Sequence, residues 1–159
     1  SEVLTGGRAT LRTVLSGGAR HPFETYVAAN RVTGLEQKLY RYLPLTHRLL
    51  PLFEMNGKRR EDLTRALLGQ QFAAHAPVVF IWICVPYRGE WRYTLAAHKT
   101  MLLDAGHMCQ NLYLACEAIG AGTCAVGAYD QETLDAFLNL DGQDEFAVYA
   151  APVGRTAER

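Results

Sequence analysis

The stretch that decides the fold is residues 103–128, LDAGHMCQNLYLACEAIGAGTCAVGA. Leucine, methionine and alanine recur in it at spacings of three and four, which predicts a helix with one wide apolar face. Asp104 suits the amino-terminal end of that helix, and Gly120 or Gly122 suits its carboxyl-terminal cap. A short strand ending on Gly127-Ala128 is expected to follow.

The predicted strand end at Gly127-Ala128 has a chemical use. Small residues leave backbone N–H groups open to a close approach from outside the sheet. A flat, electron-rich ring is the kind of ligand that such a backbone can meet. The pattern is typical of a flavin site, although the central helix of any mixed domain could show the same spacing.

The remaining segments alternate between strand and helix patterns. Strands are predicted over residues 23–31, 39–43, 47–53, 77–85 and 146–153, with a hairpin bent at Pro44. Helices are predicted over residues 61–68, 91–101 and 130–138, the last capped by Asp130. We therefore expect one domain, residues 1–159, with a mixed α+β fold.

Composition narrows the class of protein. The chain has 159 residues, 49% of them hydrophobic, and equal numbers of basic and acidic residues, 16 each. Such a balance gives no overall field to attract nucleic acid or an anionic membrane. The longest apolar run, residues 76–86, is too short to cross a bilayer. We expect a soluble, cytoplasmic protein with no nucleic-acid or membrane partner.

Four cysteines, Cys84, Cys109, Cys116 and Cys124, all lie within apolar patterns. None forms a C-x-x-C pair or stands at metal-ligand spacing from histidines. We predict buried free thiols and no metal site.

Four blocks of sequence, in register over nearly the whole chain, resemble the nitroreductase-like flavoproteins, and most closely their SagB-type branch of azoline peptide dehydrogenases. The blocks cover residues 16–27, 34–42, 104–130 and 149–155. They include SGGARHPFETYV, GLEQKLYRY, the Asp104-to-Asp130 stretch and YAAPVGR. The resemblance implies an α+β sandwich, a mixed and mainly antiparallel sheet flanked by helices, with FMN as cofactor.

The resemblance also implies which residues contact the flavin. Val126, Gly127 and Ala128 are expected near flavin N5, and Arg155 near its phosphate. The Ser16-Gly17-Gly18 turn with Arg20 is expected to form the other half of the cradle, because successive N–H groups and a cation suit a ring carbonyl or phosphate. A plain loop cap before the next strand explains that turn equally well.

The catalytic positions implied by the resemblance depart from the branch's pattern. Its Lys-Tyr pair is matched here by Arg92-Tyr93. Arginine stabilises an anion but is a poor proton acceptor, so proton transfer falls to Tyr93 or to His98. His107, Gln110 and Asn111 are interpreted as structural.

The beginning of the chain departs as well, because relatives start with a phosphate-binding helix that this sequence lacks before Ser16. Either the chain is a fragment, or Arg8, Arg12 and Arg20 substitute, or tight flavin binding is lost.

The sequence supports more than one functional hypothesis. The first is an FMN-dependent oxidoreductase, either an azoline peptide dehydrogenase reoxidised by oxygen or an NAD(P)H-dependent nitro or quinone reductase. Another is a non-catalytic scaffold subunit of a peptide-modifying complex. The resemblance implies a homodimer with each flavin between two subunits, acting on a small-molecule or peptide substrate.

Overall fold

A six-stranded antiparallel sheet forms the centre of the computed structural model, which describes residue 10 and residues 12–156. The strands follow the order β3-β2-β1-β4-β6-β5. Their bounds are β1 Phe23–Ala29, β2 Lys38–Leu43, β3 Arg48–Glu54, β4 Val78–Cys84, β5 Ala121–Thr123 and β6 Phe146–Arg155. The predicted hairpin is confirmed: β2 and β3 pair antiparallel around Pro44. Arg8 lies outside the described residues.

Within the described part of the chain, five α-helices cover the two faces of the sheet. They are α1 Gly57–Ala66, α2 Gln71–Ala74, α3 Tyr87–Tyr93, α4 Ala97–Ala118 and α5 Gln131–Leu138. The central strand β4 divides its side chains between the faces, as a strand must. Ile81 and Ile83 pack with Leu63 and Leu134 of α1 and α5. Trp82 packs on the other side with the α4 residues, Met101 among them.

Two helix starts follow the sequence signals. The Asn56 side chain accepts a hydrogen bond from the Arg59 backbone N–H at 2.9 Å and begins α1. Asp130 accepts one from Thr133 at 2.9 Å and begins α5, which confirms the helix predicted there. Such caps satisfy N–H groups that have no partner within the helix.

The long helix begins earlier than predicted. Helix α4 starts at Ala97, so Asp104 lies inside it rather than near its amino-terminal end, and that expectation was wrong. Asp104 is buried, and Met101, Ala105 and Met108 share its face of the helix. The predicted helical stretch over residues 91–101 is divided between the end of α3, a short 3-10 turn and the first turn of α4.

The strand after α4 is shorter than predicted. β5 ends at Thr123, and Gly127-Ala128 is not a strand end. Val126 instead forms an isolated bridge with Ala150 of β6, with backbone hydrogen bonds of 2.7 and 3.1 Å. The chain leaves the sheet after Thr123, touches it again at Val126 and then leaves it. No described helix has the length and apolarity to cross a membrane.

Candidate functional site

The loop before β1 contains the first group of predicted site residues. Gly17–Ala19 form a 3-10 turn, and the Ser16 hydroxyl accepts a hydrogen bond from the His21 backbone N–H at 2.8 Å. The Gly17 N–H lies 3.2 Å from both carboxylate oxygens of Asp104. The Ala19 and Arg20 N–H groups donate back into the turn. The turn therefore offers fewer free N–H groups than the sequence suggested.

Gly18 allows this loop to pack closely against α3. Its φ of 57° lies in the left-handed region, which glycine adopts without strain. A β-carbon at Gly18 would collide with the Tyr93 hydroxyl and lie 3.2 Å from Arg92 Nε. The structure thus brings the Ser16 loop together with the Arg92-Tyr93 pair.

Arg20 is engaged within this loop. Its Nε donates to the Gly18 carbonyl at 2.8 Å, and its guanidinium lies 5.2 Å from the centre of the Trp91 ring. That distance permits a cation–π interaction. Arg20 therefore holds the loop against α3. Its remaining guanidinium N–H groups can still donate to an anion.

The three predicted proton-handling residues lie at or near the surface beside this loop. Arg92 is exposed in the last turn of α3, and Tyr93 is half-buried beside Gly17 and Gly18. His98 is exposed in the first turn of α4. All three belong to one region of the chain around the α3–α4 junction.

Val126, Gly127 and Ala128 form the second group. Val126 is buried against β6, whereas Gly127 and Ala128 are exposed. Gln70 donates to the Ala128 carbonyl at 2.6 Å and to the Leu67 carbonyl at 2.9 Å, which ties this segment to the end of α1. The N–H groups of Gly127 and Ala128 donate to no residue within the described part of the chain. Two adjacent donors are thus available to a ligand.

Two tyrosines lie beside the second group, and the sequence analysis missed both. The Tyr113 hydroxyl, on α4, accepts a hydrogen bond from the Ala125 backbone N–H at 2.8 Å. The ring of Tyr149 on β6 would lie 3.9 Å from a β-carbon at Gly127. Burial raises the pKa of Tyr149, and the nearby Cys109 thiol adds to that shift, so the phenol remains protonated at neutral pH.

Arg155 lies at the end of β6, paired with Ala121 of β5, and is exposed. The hydrogen bonds among described residues include none between the Ser16 loop and residues 126–128. The loop is held by α3 and α4, and the second group by β6 and the end of α1. Within one chain, the predicted halves of the cradle are anchored to different elements.

Asp104 holds the Ser16 loop, and the sequence did contain a signal for this role. A carboxylate on the apolar face of a helix needs a buried partner. Here that partner is the Gly17 N–H of the loop. Asn111 also contacts the segment before the loop, by donating to the Thr13 carbonyl at 3.0 Å, which agrees with its interpretation as structural.

The cysteines differ in exposure. Cys84, Cys109 and Cys116 are buried free thiols, but Cys124 is exposed, contrary to the prediction that all four are buried. It lies in the turn after β5, where the chain leaves the sheet. Burial raises the pKa of Cys84 to about 12, so this thiol is not a nucleophile at neutral pH. No cluster of metal-ligating side chains occurs among the described residues.

A model of the nitroreductase family matches residues 7–155. A protein of Methanocaldococcus jannaschii named as a nitroreductase is 33% identical over 148 residues, which cover 92% of this chain and 72% of that protein. The trifolitoxin-processing protein TfxB of Rhizobium leguminosarum bv. trifolii is 29% identical over 153 residues, 94% of this chain and 41% of that protein.

Solved structures show the same fold. A nitroreductase structure from Anabaena variabilis superimposes with a TM-score of 0.86 and 26% identity, covering 96% of this chain and 31% of that one. The E. coli microcin synthetase McbBCD complex with truncated pro-MccB17 gives 0.79 at 21% identity, covering 94% and 57%. The NADPH:FMN oxidoreductase of Vibrio harveyi gives 0.64 at 15%, covering 92% and 55%. The predicted α+β sandwich is confirmed.

Proposed function

The chain belongs to the nitroreductase family, and we propose that it is an FMN-dependent oxidoreductase of the SagB-type branch, which oxidises azoline rings in modified peptides. The chain spans less than half the length of the trifolitoxin-processing relative and about a third of the cyanobacterial chain. We therefore propose a function for the site formed by residues of this chain.

The choice of branch is supported by two comparisons. One relative is named for the processing of trifolitoxin, and one structural neighbour is a microcin synthetase complex with truncated pro-MccB17 bound. A peptide is accordingly the substrate class that we propose for this chain.

The observation that carries the cofactor proposal is the pair of exposed N–H donors at Gly127 and Ala128. Their position beside β6 is fixed by Gln70 and, through Ala125, by Tyr113. Fixed backbone donors without a protein partner fit a ring nitrogen such as flavin N5. When bound, FMN supplies the centre that accepts or donates the hydride. Arg155 and Arg20 are the cations that we assign to its anionic groups.

A homodimer would bring the two halves of the cradle together. The outer face of α4 exposes Leu102, Leu103 and Leu114, with 69%, 52% and 62% of their surface accessible. Several exposed leucines on one helix favour burial against another surface. We propose that a second copy packs there, and that the Ser16 loop of one subunit completes the flavin site of the other.

Proton handling is assigned to the α3–α4 junction. The Tyr93 phenol is held against Gly18 and can donate or accept a hydrogen bond at the substrate. Arg92 supplies a fixed positive charge that stabilises an anion. His98 is exposed nearby, so its imidazole is open to proton exchange with solvent.

A second candidate is an NAD(P)H-dependent reductase of nitro compounds or quinones. The Methanocaldococcus relative is named for nitroreduction. In this case NAD(P)H, rather than oxygen, is the redox partner of the flavin. A third candidate is a non-catalytic scaffold subunit. This hypothesis is consistent with the microcin synthetase neighbour, which is part of the McbBCD complex.

Flavin content followed by substrate assay tests the proposal. The purified protein is denatured and filtered, and the filtrate is examined for FMN fluorescence. A separate sample of the native protein is assayed with an azoline-containing peptide under oxygen, and with a nitroaromatic compound and NADPH. We expect released FMN and azoline oxidation. Turnover of the nitroaromatic compound alone would support the reductase hypothesis. A preparation that contains no FMN and has no affinity for it would support the hypothesis of a non-catalytic scaffold subunit.

A further inference from the structure

A cavity of about 240 Å³ lies between the first half of β1, the end of β2 and the middle of α4. Pockets for drug-sized ligands usually enclose about 300–1,000 Å³, so this one suits a single residue or a small molecule rather than a tricyclic ring. Its polar lining includes Arg12, Ser16, His21, Glu24 and Asp104. The cavity thus lies beside the Ser16 loop, on its β1 side.

The wall formed by β1 carries an excess of positive charge. Glu24 binds Arg41 through contacts of 3.1 and 3.2 Å and Arg88 through one of 2.6 Å. Arg88 also donates to the His21 carbonyl at 3.1 Å. One carboxylate neutralises only one of these two guanidinium groups, and Arg12 adds a third.

Arg12 is the arginine of this cluster that lines the cavity. Although Arg12 is exposed overall, partial desolvation of its guanidinium lowers its pKa; Glu24 opposes this shift, and Arg88 adds to it. The contacts of Glu24 are already taken by Arg41 and Arg88, and Arg12 donates to no residue in the described ranges. Its planar group of donors matches a carboxylate, which could accept two parallel hydrogen bonds.

The carboxylate of Asp104 provides a hydrogen-bond acceptor in the same cavity. This carboxylate is 4% exposed, and among described residues the Gly17 N–H alone donates to its two oxygens. An ionised carboxylate has about four acceptor positions, so capacity remains for a donor from a ligand. A cavity with a guanidinium and a carboxylate suits a ligand that carries both a carboxylate and an N–H group.

We propose that this cavity binds the carboxyl-terminal residue of a peptide, with the carboxylate on Arg12 and the amide N–H on Asp104. The identification of that peptide as the substrate rests on the proposed function above. The cavity itself shares Ser16 with the loop assigned to the flavin, but its charged groups, Arg12, Glu24 and Asp104, are separate from the flavin contacts at Gly127 and Ala128. It would fix one end of a peptide next to Tyr93, across the Ser16 loop.

The test uses N-acetylglycine as the probe and N-acetylglycinamide as its neutral match. Both are titrated into the ¹⁵N-labelled protein as purified, and the Gly17 amide resonance is followed, because Gly17 shares Asp104 with the ligand. We expect saturable shifts with N-acetylglycine and at least tenfold weaker binding of the amide. Arg12→Gln should weaken N-acetylglycine binding at least tenfold, and Arg31→Gln, an exposed arginine after β1, should leave it unchanged.

Amide dispersion in the same spectra reports whether each variant folds, and Arg12→Lys replaces Arg12→Gln if the latter does not. Lysine keeps the charge but loses the planar fork, so we expect intermediate binding. Equal affinity for the two probes, or no effect of either Arg12 variant, would overturn the proposal. Displacement of N-acetylglycine by FMN would overturn it too, since the cavity would then belong to the cofactor. FMN content is measured separately, so loss of the flavin function is distinguishable.

Discussion

The Tyr93 hydroxyl occupies the space that a β-carbon on Gly18 would need. One glycine therefore determines where the proposed acid–base residue can lie. Because the obstructing atom is the far end of a side chain, a substitution at Gly18 would move the Tyr93 ring rather than the backbone.

Gly18→Ala is expected to lower turnover by about 10- to 100-fold, since a displacement of about 1 Å at a reacting group can have that effect. Gly34→Ala is the matched control, because Gly34 also has a positive φ, 79°, but nothing within 4 Å of its β-position. Each variant should lose about 1–2 kcal/mol of unfolding free energy through backbone strain. Equal turnover in the two variants would contradict the link between Gly18 and Tyr93.

Tyr93→Phe removes the phenol while keeping the ring beside Gly18. We expect turnover of the azoline peptide to fall by about 100-fold, the usual scale of one acid–base group, with FMN content unchanged. Steady-state kinetics and flavin absorbance measure the two quantities. His98→Gln, assayed in parallel, shows whether the proton passes through the histidine: unchanged rates in both variants would remove these side chains from the mechanism.

Tyr113→Phe removes the acceptor for the Ala125 N–H and should loosen the segment that carries Gly127 and Ala128. A lost hydrogen bond of this kind costs about 1 kcal/mol, which corresponds to about a fivefold rise in the Kd for FMN. Quenching of FMN fluorescence measures the Kd. Tyr87→Phe, at an exposed tyrosine of α3, is the control, and a Kd that changes equally in both would exclude the proposed positioning role.

His21 should make the protein less stable in acid. Burial is the main cause that lowers the pKa of His21, with smaller contributions from Arg12 and Arg20. Between its lowered folded pKa and the unfolded value near 6.5, the unfolded chain binds more protons, so stability falls as pH decreases through this window. Urea unfolding at pH 5.5 and 7.5 should show a smaller pH effect in His21→Gln than in wild type. His98→Gln is the control, and an undiminished pH effect in His21→Gln would refute the assignment.

Leu102→Glu is expected to produce a monomer. A charge at Leu102, one of the exposed leucines on α4, would have to be buried against the second copy without a partner. Light scattering should report a dimer for wild type and a monomer for the variant, with FMN released on dissociation. Leu45→Glu, at an exposed leucine in the β2–β3 turn, should remain dimeric. A wild-type monomer with bound FMN would disprove the shared site.

Local signals in the sequence predicted much of the fold. The cap at Asp130 and the hairpin at Pro44 depend on neighbouring residues, and both were found where expected. The start of α4 was misplaced because Asp104 looks like an amino-terminal residue but is paired with Gly17, 87 positions away. Likewise, Gly127 reads as a strand residue, whereas tertiary contacts with Ala150 and Gln70 determine the course of that segment.

The candidate site was predicted less completely for the same reason. Residue types and a family resemblance pointed to the Ser16 loop and to residues 126–128. The side chains that hold these segments, Asp104, Tyr113 and Gln70, come from distant parts of the chain. Their contacts depend on how the helices pack on the sheet, which a single sequence does not encode in any short pattern.

The strand order has a consequence for how the chain folds. The β2–β3 hairpin closes over a short turn at the edge of the sheet, whereas β4 at the centre pairs with β1 and β6, which lie far from it in sequence. Long-range pairings close slowly because they require large loops. The apolar β4 segment is therefore expected to remain unpaired until β1 and β6 form contacts with it. Aggregation during refolding should begin at β4, and crowding by other nascent chains should aggravate it.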